Sequence, residues 1–348
     1  MAFGGSVKVT LTKEQRYRFA KVCVETPGYW YTKRKALIEA GWPAEICTEG
    51  RIRAAVRDWE KLRAHHQQQV AQTYGIKTTT FAAQTGEIYM LPVFDGEPRL
   101  SGNWIVCGDV HLPTTDFDLA ERMLEAAKCL NIRNLLIVGD LVNMEAFSQF
   151  EHIVPPPPFE VECKVAARFV SRLSEHFETM MLVLGNHEHR LLKRNNGNIN
   201  ATMLGHILSA ASGKLQVSAY AYAIIDSYGT IWRATHQRNY SRITGRLGDQ
   251  LAQKFQCNII TFHQHHVAQL MDTWGRYVVI DGGGLFDDSK MAYVKLIDSN
   301  MPAMARGFVI LAYGTAYLMT PYPALTDWEV ILAGLQKKSE KFDLSLVV

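Results

Sequence analysis

The chain has 348 residues and a mass of 39.3 kDa, room for one large domain and a small one. At 47% hydrophobic, 20% charged and 10% aromatic residues, its composition fits a globular fold and excludes a disordered or fibrous chain; the six cysteines, at 23, 47, 107, 129, 163 and 257, show neither close pairs nor metal-ligand spacing, so free thiols in a reducing compartment are expected. Net charge is only +3, yet residues 1–77 hold 14 Lys and Arg against 7 Asp and Glu, leaving 23 against 27 elsewhere, an asymmetry that suggests two units with different partners.

The start, MAFGGSVKVTLTKEQ, lacks a basic region followed by an apolar core, which predicts a cytoplasmic protein. Thr12 and Gln15 form a capping-box pair ahead of Phe19, Ala20, Cys23 and Val24 at helical spacing, and Pro27-Gly28 closes that segment. A second helix is expected over Thr32 to Ala40, with Gly41 as its terminator. A third follows Thr48, with Ile52, Val56, Trp59 and Leu62 on one face and Arg51, Arg53, Arg57, Lys61 and Arg63 over the others.

Three short helices with a basic last one suggest a helix-turn-helix. The run KRKALIEAGW followed by a basic helix resembles the small helix-turn-helix modules of phage terminase small subunits. The resemblance implies a DNA-binding domain over 1–77, and the basic third helix makes Arg51, Arg53 and Arg57 the candidate nucleic-acid contacts. A solvated helical bundle or an oligomerisation module fits the same pattern.

Residues 78–101 read as a linker plus an edge element, with EIYMLPVF as a strand or hairpin. From 102 to 348 the texture becomes β then α repeatedly: WIVC, a helix over Phe117 to Leu130, LLIVGD, prolines at 155–158, a helix over Glu160 to His176, then MMLVLGN. That pattern predicts a layered α/β domain. The strands YAIID, IWRATH, NIITFH, YVVID and GFVILAYG are assigned to a second sheet packed on the first. The uncharged run Gly307 to Thr326 is interrupted by Gly314, Pro321 and Pro323, so two strands and a turn are expected rather than a membrane span.

The chemistry sits just past those strands. Asp109 and His111, then Asp140, then Asn186 with His187 and Glu188, then His236, then His263 and His265 each follow a buried apolar run, where ligand sites form in α/β sheets. Carboxylate, imidazole and amide oxygen are donors for Mn²⁺, Fe or Zn²⁺, and these donors outnumber the positions of one tetrahedral ion. Two divalent ions fit better, with the Asp140 carboxylate between them. Two such cations about 3.5 to 4 Å apart lower the pKa of a bridging water and neutralise phosphoryl oxygens.

Asp-x-His, Gly-Asp-x-x-Asn, Gly-Asn-His-Glu, a lone His and a final His-x-His resemble the five blocks of the calcineurin-like metallophosphoesterase superfamily, over roughly 103–320. The resemblance implies a four-layered α/β/β/α sandwich and two-metal hydrolysis of phosphoesters. It implies Asp109, His111, Asp140 and His265 on the first ion, and Asp140, Asn186, His236 and His263 on the second. His187 would face the leaving group, with Glu188 orienting it. Phe262 stands where that family's last block has glycine and His266 follows directly, so a pair shifted by one residue is an alternative to His263 and His265. Arg190 and Arg238 are candidates for substrate phosphate, and a solvated basic surface is the competing reading for both.

Metal ligands do not decide the substrate, which loops around the site choose. The leading expectation is a nuclease cutting DNA held by the basic helical unit. The alternatives are a phosphatase or phosphodiesterase acting on a protein, nucleotide or small ester, with an oligomerising N-terminal unit, and a DNA-binding protein that keeps the fold as a scaffold.

Overall fold

The computed structural model describes residues 10–59, 61–62, 96–149, 152, 154–196, 198–209, 214–296 and 303–345. The strand or hairpin expected over EIYMLPVF, and Arg63, lie outside the described residues. The chain divides into two compact units, Met1–Val93 and Phe94–Val348.

In the first unit, α1 (Lys13–Glu25) opens on the expected capping box: the Thr12 hydroxyl accepts from the Gln15 N–H at 3.1 Å, and the Gln15 side chain accepts from the Thr12 N–H at 2.9 Å. Helix α2 (Trp30–Glu39) starts two residues earlier than its sequence suggests, and α3 (Glu49–Arg57) follows the cap Thr48. The three helices enclose Phe19, Cys23, Leu37, Ile46, Cys47 and Ile52. Val24 and Val56, placed on apolar stripes by spacing, are each 40% exposed, because three short helices do not offer enough partner surface to cover a whole stripe. The α2–α3 connection runs from 40 to 48, longer than the three- to four-residue turn of DNA-binding helix pairs. On α3, Arg53 and Arg57 are exposed and Arg51 is half-buried.

Among the described residues of the second unit the strands form two six-stranded sheets. The first has the order β12-β11-β2-β3-β4-β5, built from β2 (Trp104–Cys107), β3 (Asn134–Val138), β4 (Thr179–Val183), β5 (Leu215–Ser218), β11 (Phe308–Ala312) and β12 (Thr315–Met319). The second has the order β1-β6-β7-β8-β10-β9, built from β1 (Arg99–Ser101), β6 (Tyr222–Ser227), β7 (Thr230–His236), β8 (Asn258–Phe262), β9 (Val267–Met271) and β10 (Val278–Gly282). GFVILAYG does not join the second sheet as expected: β11 pairs antiparallel with β2, Val309 opposite Val106, and so extends the first sheet. An apolar run buried on both faces looks the same in either sheet, so only pairing could decide.

The first sheet explains its own hydrophobic runs. Ile105, Cys107, Leu135 and Ile137 face one core with α4 (Phe117–Cys129), α5 (Phe159–Ser174) and α7 (Ala201–Ser209), while the alternating Trp104, Val106, Leu136 and Val138 face the second sheet. The second sheet turns Ala223, Ile225, Trp232, Ala234, Ile260, Phe262 and Ile280 toward the first. Its outer face packs Ile259 and Val279 on Ala252 of α8 (Arg246–Phe255). The layers therefore run helices, sheet, sheet, helix. The uncharged run from Gly307 contributes β11 and β12, and no described helix is long and apolar enough to cross a membrane.

Candidate metal centre

Parallel pairing of β2, β3 and β4 in one sheet and of β7 and β8 in the other brings five strand ends to one edge of the sandwich. Past these ends the backbone leaves the β region abruptly: Asp109, His111, Asp140, His263 and His265 have φ of 47°, 52°, 52°, 85° and 58°. Left-handed backbone at non-glycine residues costs of order 1–3 kcal/mol each and persists where the surroundings hold it in place for function. Glycines let the loops close together. A Cβ at Gly139 (φ 74°) would collide with the His236 ring, and one at Gly185 would collide with Asp140 Oδ1.

The side chains converge in three groups whose donor atoms lie within 4.8 Å of one another: Asp109, His111 and His265; His111, Asp140 and His187; and Asp140, His236 and His263. Asp109 Oδ1 is 3.2 Å from His265 Nε2 and 3.3 Å from His236 Nε2, and Asp140 Oδ2 is 3.3 Å from His236 Nε2. His111 Nε2 and His265 Nε2 face one another at 3.2 Å. Two imidazole lone pairs and a carboxylate aimed at one point form a cation's donor set. The surroundings also fit a metal centre. Asn186 Oδ1 is buried with no hydrogen-bond partner among the described residues, an acceptor that a cation would satisfy. Asn143 Oδ1 stands 2.8 Å from His111 Nδ1, which places the proton on Nδ1 and leaves Nε2 its lone pair.

Phe262 is resolved by packing. Its ring fills the space left by Gly108 and Gly282, is 2% exposed, and joins the core between the sheets. A side chain of this size gains roughly 1.5–3 kcal/mol on burial, so the register that puts Phe262 inward also fixes His263 and His265 past the strand. His266 is buried too, but neither ring nitrogen has a partner among the described residues and it joins no donor group.

Burial pushes the Asp109 and Asp140 carboxyls upward, yet the opposing imidazoles win: His265 with His111 and His236 holds Asp109 well below its ordinary value, and His187 with His236 lowers Asp140. The converse holds for His236, raised well above its ordinary value by Asp140 and Asp109 against the pull of burial. Burial lowers His263 to about 4, helped by His236. Divalent cations compete for the same lone pairs that these groups use to share protons.

Glu188 does not orient His187, as the sequence suggested. Its carboxylate turns back into the protein and accepts from the backbone N–H groups of Asp140 and Gly185, each at 2.9 Å, and of Leu141 at 2.8 Å. It is the third residue of α6 (Asn186–Arg194), and from there it fastens the Asp140 loop to the start of that helix. His187 is oriented by others: its N–H donates to Asp140 Oδ1 at 2.9 Å, its Nδ1 meets the Asn143 carbonyl at 2.7 Å, and its Nε2 meets Arg190 at 2.9 Å. Burial lowers the His187 imidazole to about 3.

Arg190 therefore sits on the site, bound to the Asn143 carbonyl at 3.0 Å and 3.6 Å from Glu145, whereas Arg238 points out of an exposed loop beyond His236. Arg51, Arg53 and Arg57 belong to the first compact unit. Asn143, the last residue of the Gly-Asp-x-x-Asn block, takes a role that its sequence position did not assign. A short polar side chain three residues past a candidate ligand was the available signal.

A family model described as calcineurin-like phosphoesterase matches residues 103–294. Among solved structures, the chain is similar to a predicted phosphoesterase from Streptococcus pneumoniae TIGR4, at 12% identity and TM-score 0.30 over 65% of this chain and 95% of the other. It is similar to a Thermotoga maritima protein solved by NMR, at 10% identity and TM-score 0.29 over 63% and 98%. A mutant of a cold-active protein tyrosine phosphatase matches at 12% identity and TM-score 0.28 over 65% and 83%. No curated protein matches the chain.

Proposed function

The chain belongs to the calcineurin-like phosphoesterase family and is a metal-dependent hydrolase of ester bonds, and from that premise we propose that it is a nuclease, cleaving phosphodiester bonds in DNA. The observation that carries the DNA reading is the charge split: a compact helical unit with an excess of basic residues precedes an acidic phosphoesterase unit. Exposed Arg53 and Arg57 would hold phosphates; their ion pairs with Glu49 at 2.6 Å and Asp58 at 3.4 Å are surface pairs of the weak kind, easily exchanged for a phosphate. Arg51, half-buried, would contribute less.

Asp109, His111, Asp140 and His265 would hold one divalent ion, and Asp140, Asn186, His236 and His263 the other, with Mn the leading choice and Fe or Zn compatible with the same donors. Bound there, the two ions would activate water and neutralise the phosphoryl oxygens. The remaining work falls to the chain. Glu188 holds the Asp140 loop in shape, and Asn143 fixes the His111 tautomer. Arg190 would turn from His187 Nε2 to a phosphoryl oxygen, leaving that nitrogen to face the departing oxygen.

The test is hydrolysis by the manganese-loaded protein of p-nitrophenyl phosphate, bis(p-nitrophenyl) phosphate, single-stranded DNA and duplex DNA side by side. DNA cleavage that needs metal, and that falls when Arg53 and Arg57 are both replaced by Ala, is the expected result. Hydrolysis of the monoester alone would overturn the proposal.

A further inference from the structure

Between β7 and α8 the chain runs through an exposed loop that the metal centre does not use. An open groove of about 730 Å³ is lined there by Arg238, Tyr240, Arg242, Ile243 and Arg246 among others, and no carboxylate lines it. None of the three guanidinium groups forms an ion pair or hydrogen bond with another described residue, although the Arg246 backbone N–H donates to the Ile243 carbonyl at 3.3 Å. Elsewhere on the surface arginines do find carboxylates, as Arg172 finds Glu121 at 3.0 Å, so the unpaired guanidinium groups of Arg238 and Arg242 on the loop and of Arg246 at the first residue of α8 are a concentration of uncompensated positive charge.

The loop is joined to the centre at its start and middle and to the second sheet at its far end. Arg238 follows His236 by two residues, so their Cα atoms are no more than about 7 Å apart. The Ser241 N–H donates to Gln264 Oε1 at 3.1 Å, and Gln264 lies between the candidate ligands His263 and His265. The Tyr240 ring stands 6.2 Å from the His266 ring yet is 42% exposed. At the far end the Gly245 N–H donates to Asp281 Oδ2 at 2.6 Å, and Thr261 Oγ1 holds the other oxygen of that carboxylate at 2.6 Å. At the root of the loop, Gln237 is 8% exposed with neither amide atom partnered, and Gln264 Nε2 is buried and unpartnered as well. Buried amide groups without partners cost free energy until something polar reaches them.

We propose that this loop is a binding groove for the single-stranded polynucleotide flanking the scissile phosphate, with Arg238, Arg242 and Arg246 on successive phosphates and Tyr240 as a stacking platform for a base. The inference rests on the nuclease reading and names the form of nucleic acid it acts on. A single strand fits because an exposed ring beside unpaired cations recognises unstacked bases and backbone together, whereas a duplex keeps its bases stacked on one another.

Two measurements on the full-length protein test it. An oligothymidylate carrying 5-iodouracil, bound in the presence of a chelator so that it is not cut, should photo-crosslink to Tyr240 or a neighbour within 237–247; no crosslink, or crosslinks confined to the first unit, would overturn the groove. In the manganese-loaded protein, replacing Arg238, Arg242 and Arg246 together by Ala should lower kcat/KM for a single-stranded oligonucleotide at least tenfold further than for bis(p-nitrophenyl) phosphate. Three phosphates released from neutralisation, at a slope near −0.7 each, mean that raising salt from about 50 to about 200 mM should cost the wild type about 20-fold more than the variant. Oligonucleotide cleavage untouched by the triple substitution defeats the groove alone. Hydrolysis of the small diester with no cleavage of any oligonucleotide defeats the nuclease reading beneath it.

Discussion

Arg190 reaches His187 Nε2 at 2.9 Å and the Asn143 carbonyl at 3.0 Å, while the same carbonyl meets His187 Nδ1 at 2.7 Å. A carbonyl on one ring nitrogen and a guanidinium on the other define a neutral imidazole with its proton on Nδ1. Asn143 is thus shared by three groups, because its side chain also positions His111.

His187 and Arg190 should act together. Nε2 carries no proton in this arrangement, so His187 would act as a general acid only after Arg190 turns to the phosphate and Nε2 takes up a proton, help worth roughly 10²- to 10⁴-fold for a poor leaving group and much less for a stable anion. His187→Ala should therefore lose far more activity on DNA or an alkyl diester than on a p-nitrophenyl ester, with metal content retained. Arg190→Ala should show the same ranking, and Arg190→Lys should not restore it, because an ammonium lacks the planar fork that spans both partners. Equal losses on both substrates, with metal lost, would make His187 a ligand, as its place beside His111 and Asp140 allows.

On the proposed assignment, Asp140→Asn removes the carboxylate that both ion positions would share. The loss in metal affinity should exceed the roughly 10- to 100-fold that an outer residue costs. Elemental analysis of the folded variant should find both ions depleted; two retained ions with near-normal hydrolysis would refute the shared role.

Asn143→Ala should cost about 10- to 100-fold in metal affinity or activity through His111 alone, and Asn143→Asp, which keeps an acceptor at the same place, should recover most of it. Titration of metal into the two variants separates them. Equal behaviour would mean that the backbone carbonyl of residue 143, not its side chain, carries the effect.

Glu188→Ala leaves the buried N–H groups of Asp140, Leu141 and Gly185, and the more distant one of Val142, without their acceptor, at about 1–3 kcal/mol for each buried donor left unsatisfied. A loss of at least about 3 kcal/mol in denaturant unfolding is expected, together with weaker metal binding. An unchanged unfolding midpoint would show that water replaces the carboxylate.

Metal binding should release protons near pH 7. Asp140 and Asp109 raise the His236 imidazole against burial, so it still carries a proton that a cation must displace, whereas His263, lowered to about 4, has already lost its own. Affinity should accordingly fall as pH drops. Calorimetry of manganese binding in buffers of different ionisation enthalpy checks the release, and a heat independent of buffer would contradict it.

The donor residues could be read in the sequence because each follows an apolar run long enough to be a buried strand, and strand ends are where backbone turns back and side chains are free to meet. The capping box at Thr12 and Gln15 was equally legible, since its partners are three residues apart. The destination of GFVILAYG was not, because two faces of burial erase the alternation that would tell one sheet from the other. Nor was the duty of Glu188, which lies 48 residues from Asp140 in the chain and meets it only when β3 and β4 pair in parallel. Local spacing determined which groups could bind metal and where helices begin; the packing of two sheets, by bringing distant strand ends to one edge, decided which of those groups touch.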